Sequence, residues 1–378
     1  MLCGRCIYDS EVIPYMTIDP KTKQCNYCGE YDMMDKEYPN GQEGWKVLES
    51  ITERIKKESE NKRYDVVVGV SGGCDSSYML HLCKELGLRP LAAHFDNTWN
   101  ARVGVENLYK ITKALGVDLY TDVCDSEEYN DIFRSCLLAS IPESDLAADI
   151  GLPTTHYNAC EKFGIRYIFE GHSFRTEGIT PHGWVYMDAK YRDDIHKIYG
   201  KIKEVKSVPN LYLGKWFKWT VVNRIKKIRP LYYIDYHKED AKKLLTEKYG
   251  WQWYGAHHGE NRSACFANQY YLPLKFGMDL RYCEYSALIR SGQMTRDEGL
   301  QKIKEPQFLD ETIIEEIKER LHFSDSEFKK VMSLPNKSYR DYKTYKSLFE
   351  KLKPFFWIMY KFALVPKSFY TKFTRRYK

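Results

Sequence analysis

The segment Tyr64-Asp65-Val66-Val67-Val68-Gly69-Val70-Ser71-Gly72-Gly73-Cys74-Asp75-Ser76-Ser77 joins a β-branched run, a double-glycine bend and a helix start without interruption. The valine run, ending at Val70, reads as a buried strand, and Met79, Leu82, Cys83 and Leu86 beyond the bend recur at helical spacing. Two glycines remove both Cβ atoms where the chain turns, so backbone N–H groups can point at an anion. The helix start adds unsatisfied N–H groups and the positive end of its dipole. Ser71, Ser76 and Ser77 offer hydroxyl donors to the same place. Asp75 cannot hold a phosphate by charge, so it needs either a Mg²⁺ bridge or a capping role. This is a phosphate cradle without the lysine of a Walker-type loop.

Downstream the pattern alternates. Strands are expected at 65–70, 88–95, 118–123 and 167–170, with helices at 76–86 and 103–115 and a helical pair broken by Pro142 and Pro153. Asn100 is a candidate cap for the second helix. Alternation of this kind means a parallel sheet wound by right-handed crossovers, with ligands beyond the carboxyl ends of the strands. The cradle is the end of the first strand. His94, Asp96 and Asn97 end the second, and Gly171, His172, Arg175 and Glu177 follow the fourth. Residues 190–229 are basic and aromatic; an amphipathic helical pair with a solvated basic face is favoured over a substrate cover or a partner surface. A helix at 238–249 stops at Gly250. The loop after it carries His257, His258, Glu260 and Arg262, whose charge suits an anionic substrate. Residues 270–335 read as a helical subdomain.

Upstream lie Cys3-Gly-Arg-Cys6 and Cys25-Asn-Tyr-Cys28, two Cys-x-x-Cys knuckles with 18 residues between them. Each presents two thiolates to one tetrahedral ion, the spacing of a four-cysteine zinc site. The polar, turn-rich segment between the knuckles builds little core, so the ion would supply folding energy. Four thiolates leave no open position, which makes the zinc structural. A helix at 44–57 joins this module to the sheet.

Composition narrows the classes further. With 43% hydrophobic residues the chain can form a sizeable core, and no run of about 20 apolar residues offers a membrane span. Eleven cysteines without an export signal indicate a reducing cytoplasm. The net charge of +6 is an uneven average. Residues 340–378 hold eleven Lys/Arg and two Asp/Glu, which leaves 47 basic and 50 acidic residues for the rest. A body of net −3 is a poor nucleic-acid-binding surface. In the tail, Pro354-Phe-Phe-Trp-Ile-Met-Tyr-Lys-Phe-Ala-Leu-Val-Pro366 is too short to cross a bilayer. It is expected to pack on the body or a protein partner, with contact at an anionic membrane face as the alternative.

The Ser-Gly-Gly-x-Asp-Ser string resembles the pyrophosphate loop of the ATP pyrophosphatases, which implies an α/β fold of the HUP/adenine nucleotide alpha hydrolase type. The four-cysteine module, Gly171–Gly178, the run Tyr271-Leu-Pro-Leu-Lys-Phe-Gly-Met-Asp-Leu-Arg281 and Ser291-Gly-Gln-Met-Thr-Arg296 are together similar to the N-acetyl sugar amidotransferases of bacterial surface-polysaccharide assembly, of the WbpG and PseA type. The resemblance covers roughly residues 1–305. It departs at 255–262, where His257 stands in place of an expected lysine while His258 and Glu260 keep their types. The implied division is a zinc module (1–40), a PP-loop domain (41–235), a helical substrate subdomain (236–339) and the basic tail (340–378).

The resemblance implies conversion of a sugar acetamido group to acetamidino for lipopolysaccharide or O-antigen assembly, on a UDP-linked sugar, using ATP, Mg²⁺ and ammonia. Val70, Ser71, Gly72, Gly73, Asp75, Ser76 and Ser77 would hold pyrophosphate, with His94, Asp96, Asn97, Gly171 and His172 around the nucleoside. Asp75, Arg175, His258 and Glu260 are the implied catalytic residues; Arg175, Glu177, His257 and Arg262 would contact substrate. Position two is leucine and no glutaminase is evident, so a separate glutaminase is expected, with a cyclase-like ammonia-channel subunit. Two rivals stand beside this reading: a tRNA-thiolating PP-loop enzyme and a non-catalytic zinc scaffold.

Overall fold

A computed structural model describes residues 1–255, 258–362, 364–365 and 367–376. Five parallel strands form one sheet: β1 Val66–Gly69, β2 Pro90–Asp96, β3 Leu119–Val123, β4 Tyr167–Phe169 and β5 Lys226–Ile228, in the order β3-β2-β1-β4-β5. The order reverses between β1 and β4, so the end of β1 lies at the topological switch point, where open α/β sheets bind ligands. The fold is of the HUP type expected, with four cysteines gathered near the N-terminus and a helical C-terminal part.

Alternation along β1 builds the two covering layers. Val66 and Val68 pack with Leu80, Leu48 and Leu245, from helices Cys74–Glu85, Gly41–Glu58 and Lys238–Tyr249. Val67 faces the opposite layer with Leu91, Ile168, Tyr157 and Trp219. A third apolar group, including Trp99, Phe133, Phe266 and Phe328, joins helix Ser126–Ala139 to the C-terminal helices. The tail closes the Val67 layer: Phe349, Phe356 and Met359 are buried there, and Trp216 stacks on Phe369 at 4.8 Å. The expected packing of the tail aromatics on the body is thus seen for one face of them.

Several local expectations change. Strand β5 was hidden within residues 190–229, because its Lys226-Lys227-Ile228 lacks a β-branched run and gains its place by pairing with β4. Pro153 lies inside helix Leu146–Phe163 rather than between helices. Asn100 does not cap the helix Arg102–Leu115, whose cap position is Ala101; its side chain turns back to Asp96 and His94.

Candidate functional site: the Ser-Gly-Gly loop and the residues that close on it

The bend after β1 is as tight as its glycines require. Gly72 sits at φ +81°, and a Cβ there would lie 2.0 Å from the Gly104 carbonyl oxygen. Gly73 leaves room for Glu260, whose Oε1 would be 2.7 Å from an added Cβ. Gly69 leaves room for the His156 ring. The loop's N–H groups meet oxygen atoms: Ser71 N–H donates to Ser76 Oγ (3.3 Å), Gly73 N–H to Ser71 Oγ (3.2 Å) and Cys74 N–H to Tyr254 Oη (3.2 Å). Trp251 Nε1 fixes the far side by donating to Gly72 O. Ser77 Oγ is buried with no hydrogen-bond partner among the described residues.

Asp75, on the first turn of helix Cys74–Glu85, accepts from Tyr236 Oη (2.5 Å) and pairs with Lys238 Nζ (3.0 Å). Burial pushes its carboxyl up, while Lys238 and Tyr236 work in the opposite direction. Lys238 brings the cation that the loop itself lacks, from a segment 163 positions later in the chain. Neither Tyr236 nor Lys238 was evident from the sequence. One signal was present: a lysine at the N-terminal end of helix Lys238–Tyr249 opposes the helix dipole, so a nearby carboxylate had to compensate. Glu284 was missed too. It extends from helix Arg281–Arg290, burial raises its carboxyl, and the charges of Lys238, His258 and Glu177 act on it.

Glu260 closes the loop from above. It is 7% exposed, its Oε1 accepts from Ser71 Oγ at 3.1 Å, and His258 Nδ1 lies 3.9 Å away. Burial would raise its carboxyl, but His258 and Ser71 hold it below the usual range, and His258 is raised in turn by Glu260. Its Oε2 is buried and has no hydrogen-bond partner among the described residues. Asp75, Glu177, Glu260 and Glu284 make the site rich in carboxylates, so a polyphosphate entering it needs a divalent cation. The buried, unpartnered Oε2 of Glu260 is an oxygen that could serve such an ion. His172 pairs with Glu177 through Nδ1, and a Cβ on Gly171 would stand 3.2 Å from the Asp75 carbonyl, which keeps this turn against the helix start.

Other expected site residues serve the frame. Arg175 is 4% exposed; its guanidinium donates to Asp35 Oδ1, Tyr38 O and Tyr232 O, so it ties the N-terminal helix Asn26–Glu37 to the segment after β5. Arg262 pairs with Asp310 (2.5 Å) and Glu316 (2.7 Å), which anchors helix Thr312–Arg320. Asn97 is buried among Tyr129, Ser263, Asn261 and Trp99. His94 Nδ1 bonds to Val70 O at 2.8 Å and burial lowers its basicity, so it braces the strand end as a neutral ring. Asp96 accepts from Thr98 N–H and Asn100. His257 lies outside the described residues.

The four cysteines form a second centre. Sγ–Sγ distances are 3.8 Å for Cys3–Cys28 and Cys6–Cys25 and 3.6 Å for Cys25–Cys28. A tetrahedron with metal–sulfur bonds of about 2.3 Å has edges of roughly 3.8 Å, so the cage fits a zinc-sized ion. Arg290 donates to Cys6 Sγ (3.1 Å) and Cys28 Sγ (3.4 Å), countering the charge of four thiolates. Arg296 donates to the carbonyls of Cys3 (2.8 Å) and Cys6 (3.3 Å).

Comparison with known proteins fits this layout. Residues 260–353 match the model of the C-terminal domain of LPS biosynthesis protein WbpG-like proteins, a match that begins at Glu260 and runs past residue 305. A stretch of 136 residues is 27% identical to the tRNA-specific 2-thiouridylase MnmA of Proteus mirabilis (strain HI4320); it spans 32% of this chain and only 37% of that enzyme. Among solved structures, the NMN synthetase of Francisella tularensis aligns with a TM-score of 0.28 at 13% identity, over 57% of this chain and 89% of that one. The NH3-dependent NAD synthetase of Campylobacter jejuni aligns at 0.33 and 14%, over 79% and 99%. With its Ser-Gly-Gly loop at the switch point of a parallel sheet, this chain resembles the PP-loop ATP pyrophosphatases, and its residues 260–353 match a WbpG-like C-terminal domain.

Proposed function

We propose that this protein is an AMP-forming amidotransferase that converts an acetamido group of a nucleotide-linked N-acetyl sugar to acetamidino in bacterial surface-glycan assembly. One observation carries the reading. Glu260, the first residue of the WbpG-like segment, is hydrogen-bonded to Ser71 of the pyrophosphate loop, so the LPS-related domain meets the ATP chemistry at a shared site.

An amide oxygen is a poor leaving group and must first be activated. Its attack on the α-phosphorus of ATP forms a P–O bond and releases pyrophosphate, giving an O-adenylyl imidate. Ammonia then adds to the imidate carbon, the C–O bond breaks and AMP leaves. Ser71, Gly72, Gly73, Ser76 and Ser77 would cradle the departing pyrophosphate with the helix start. Lys238 would offset its charge while orienting Asp75. Glu260 and Asp75 would hold Mg²⁺, which when bound neutralises polyphosphate charge. His258 and Glu177 would take up a proton released as ammonia adds. Positioning and charge stabilisation would supply most of the rate.

All eleven cysteines are buried, and burial pushes the thiols of Cys74, Cys124 and Cys283 up to about 12 and that of Cys265 to about 11. Thiolation and glutamine hydrolysis by a cysteine nucleophile both need an accessible thiolate. This favours amidination over tRNA thiolation and an ammonia source on a separate glutaminase with its channel subunit. The experiment is mass spectrometry of UDP-N-acetyl sugars incubated with the protein, ATP, Mg²⁺ and ammonium. A product in which NH replaces O, formed together with AMP, is expected; sulfur gain on tRNA in a parallel reaction would replace the proposal.

A further inference from the structure

The C-terminal helices leave a surface that the ATP site does not use. Helix Lys353–Lys361 has two faces. Phe356 and Met359 are buried against Phe349, Trp216 and Phe369. Phe355, Ile358 and Phe362, at i, i+3 and i+7, form a stripe flanking the buried face and are 45%, 48% and 73% exposed; Trp357, further round the helix, is 48% exposed. The buried face already fixes the helix, so the exposed stripe is not required for folding. Soluble surfaces rarely leave contiguous aromatic area of this kind without an occupant.

Charge identifies the occupant. Lys353 and Lys361 bound the helix, and no acidic residue lies between Lys351 and Arg376. Next to the stripe is a cleft of about 710 Å³ lined by Lys351, Lys353, Arg375 and Arg376, with Glu350 as its one acid. Phe217 and Val222, exposed on the segment that carries Trp216, lie alongside Lys215 and Lys218. No described helix is long and apolar enough to cross a membrane. A short helix fixed on one face, aromatic on the other and ringed by cations has the physical signature of an interfacial contact: rings enter the headgroup boundary while Lys and Arg meet lipid phosphates.

We infer that the Phe355–Phe362 stripe and the adjoining basic cleft dock this protein on an anionic lipid bilayer surface. The test is vesicle co-sedimentation of the full chain with liposomes of phosphatidylcholine alone and of phosphatidylcholine mixed with phosphatidylglycerol. Binding only to the phosphatidylglycerol vesicles, falling steeply between low and high salt, is expected. The triple variant Phe355→Ser, Ile358→Ser, Phe362→Ser should lower partitioning at least tenfold while keeping the zinc content and unfolding temperature. If the triple variant folds poorly, Lys353→Glu with Lys361→Glu, which leaves the buried Phe356 and Met359 face untouched, should lower it as well. Partitioning unchanged in both variants would overturn the inference. So would a wild-type homodimer that the triple variant dissociates, since the stripe would then be a protein interface.

Discussion

At the level of single residues, Lys238 is the side chain around which the site balances. Asp75 sits in the first turn of a helix whose dipole favours a carboxylate, yet it is largely buried, so it needs Lys238 and Tyr236. Removing one partner of a buried pair leaves the other charge uncompensated. Lys238→Ala is therefore expected to lower AMP formation by about 10²–10³-fold, the scale of a lost oriented charge. Lys238→Arg should recover part of it, because the cation persists but its fork does not match a single-point contact. AMP release from ATP and sugar measures both. Equal activity in Lys238→Ala would mean that the cation only supports folding. The same logic separates Glu260, whose Oε1 meets Ser71 while its buried Oε2 has no hydrogen-bond partner among the described residues, from Arg175, whose three guanidinium nitrogens all donate to Asp35 or to backbone carbonyls. Both read as site residues in the sequence; only their partners distinguish them.

Among the elements, β5 depends most on its neighbours. It is three residues long, and Glu170, just past β4, pairs with Lys227 (2.7 Å) within it and Arg229 (3.1 Å) after it. Burial would raise the Glu170 carboxyl, but these two cations hold it well below the usual carboxylate range. A depressed value stabilises the fold above the pH at which a free carboxylate titrates, about 4.3, and that stabilisation is lost as the pH falls below it. Glu170→Gln is expected to cost about 3 kcal/mol at neutral pH, at the low end for a broken buried pair, because the glutamate side chain keeps 20% exposure. Denaturant unfolding should show the gap between wild type and variant narrowing as the pH drops below about 4. A gap independent of pH would show that shape, and not charge, holds β5.

Across the whole molecule, the cysteine cage, the WbpG-like segment and the ATP loop form one mechanical chain. Arg296 binds the carbonyls of both N-terminal knuckle cysteines, Ser291 Oγ donates to Arg175 O, and Gln293 Nε2 donates to Tyr236 O beside Asp75. The Ser291–Arg296 motif therefore spans from the cage to the residue that holds the loop's acid. Stripping the metal with a chelator is expected to lower the unfolding temperature and to weaken ATP binding together, even though no cysteine of the cage touches the loop. Calorimetry of ATP–Mg²⁺ binding before and after zinc is restored checks this. Undiminished binding in the stripped protein would uncouple the two centres.

Local chemistry was legible in the chain itself. A β-branched run, two glycines and a helix start specify the loop because strand propensity, positive φ and helix spacing are all short-range properties; Gly72 at φ +81° is the position that needed glycine. The Cys-x-x-Cys pairs specified the cage, because each knuckle is a local turn presenting two sulfurs. Which polar residues face the loop was not local. Tyr236 and Lys238, from one segment, and Glu284, from a later helix, arrive from more than 150 positions away, while Arg175, Arg262 and Asn97 are held by Asp35, Asp310 and Tyr129. A charged side chain reads the same in sequence whether it meets a substrate or a buried partner. Only the packing of distant segments decides which of the two lowers its free energy, and that choice is made by the tertiary structure.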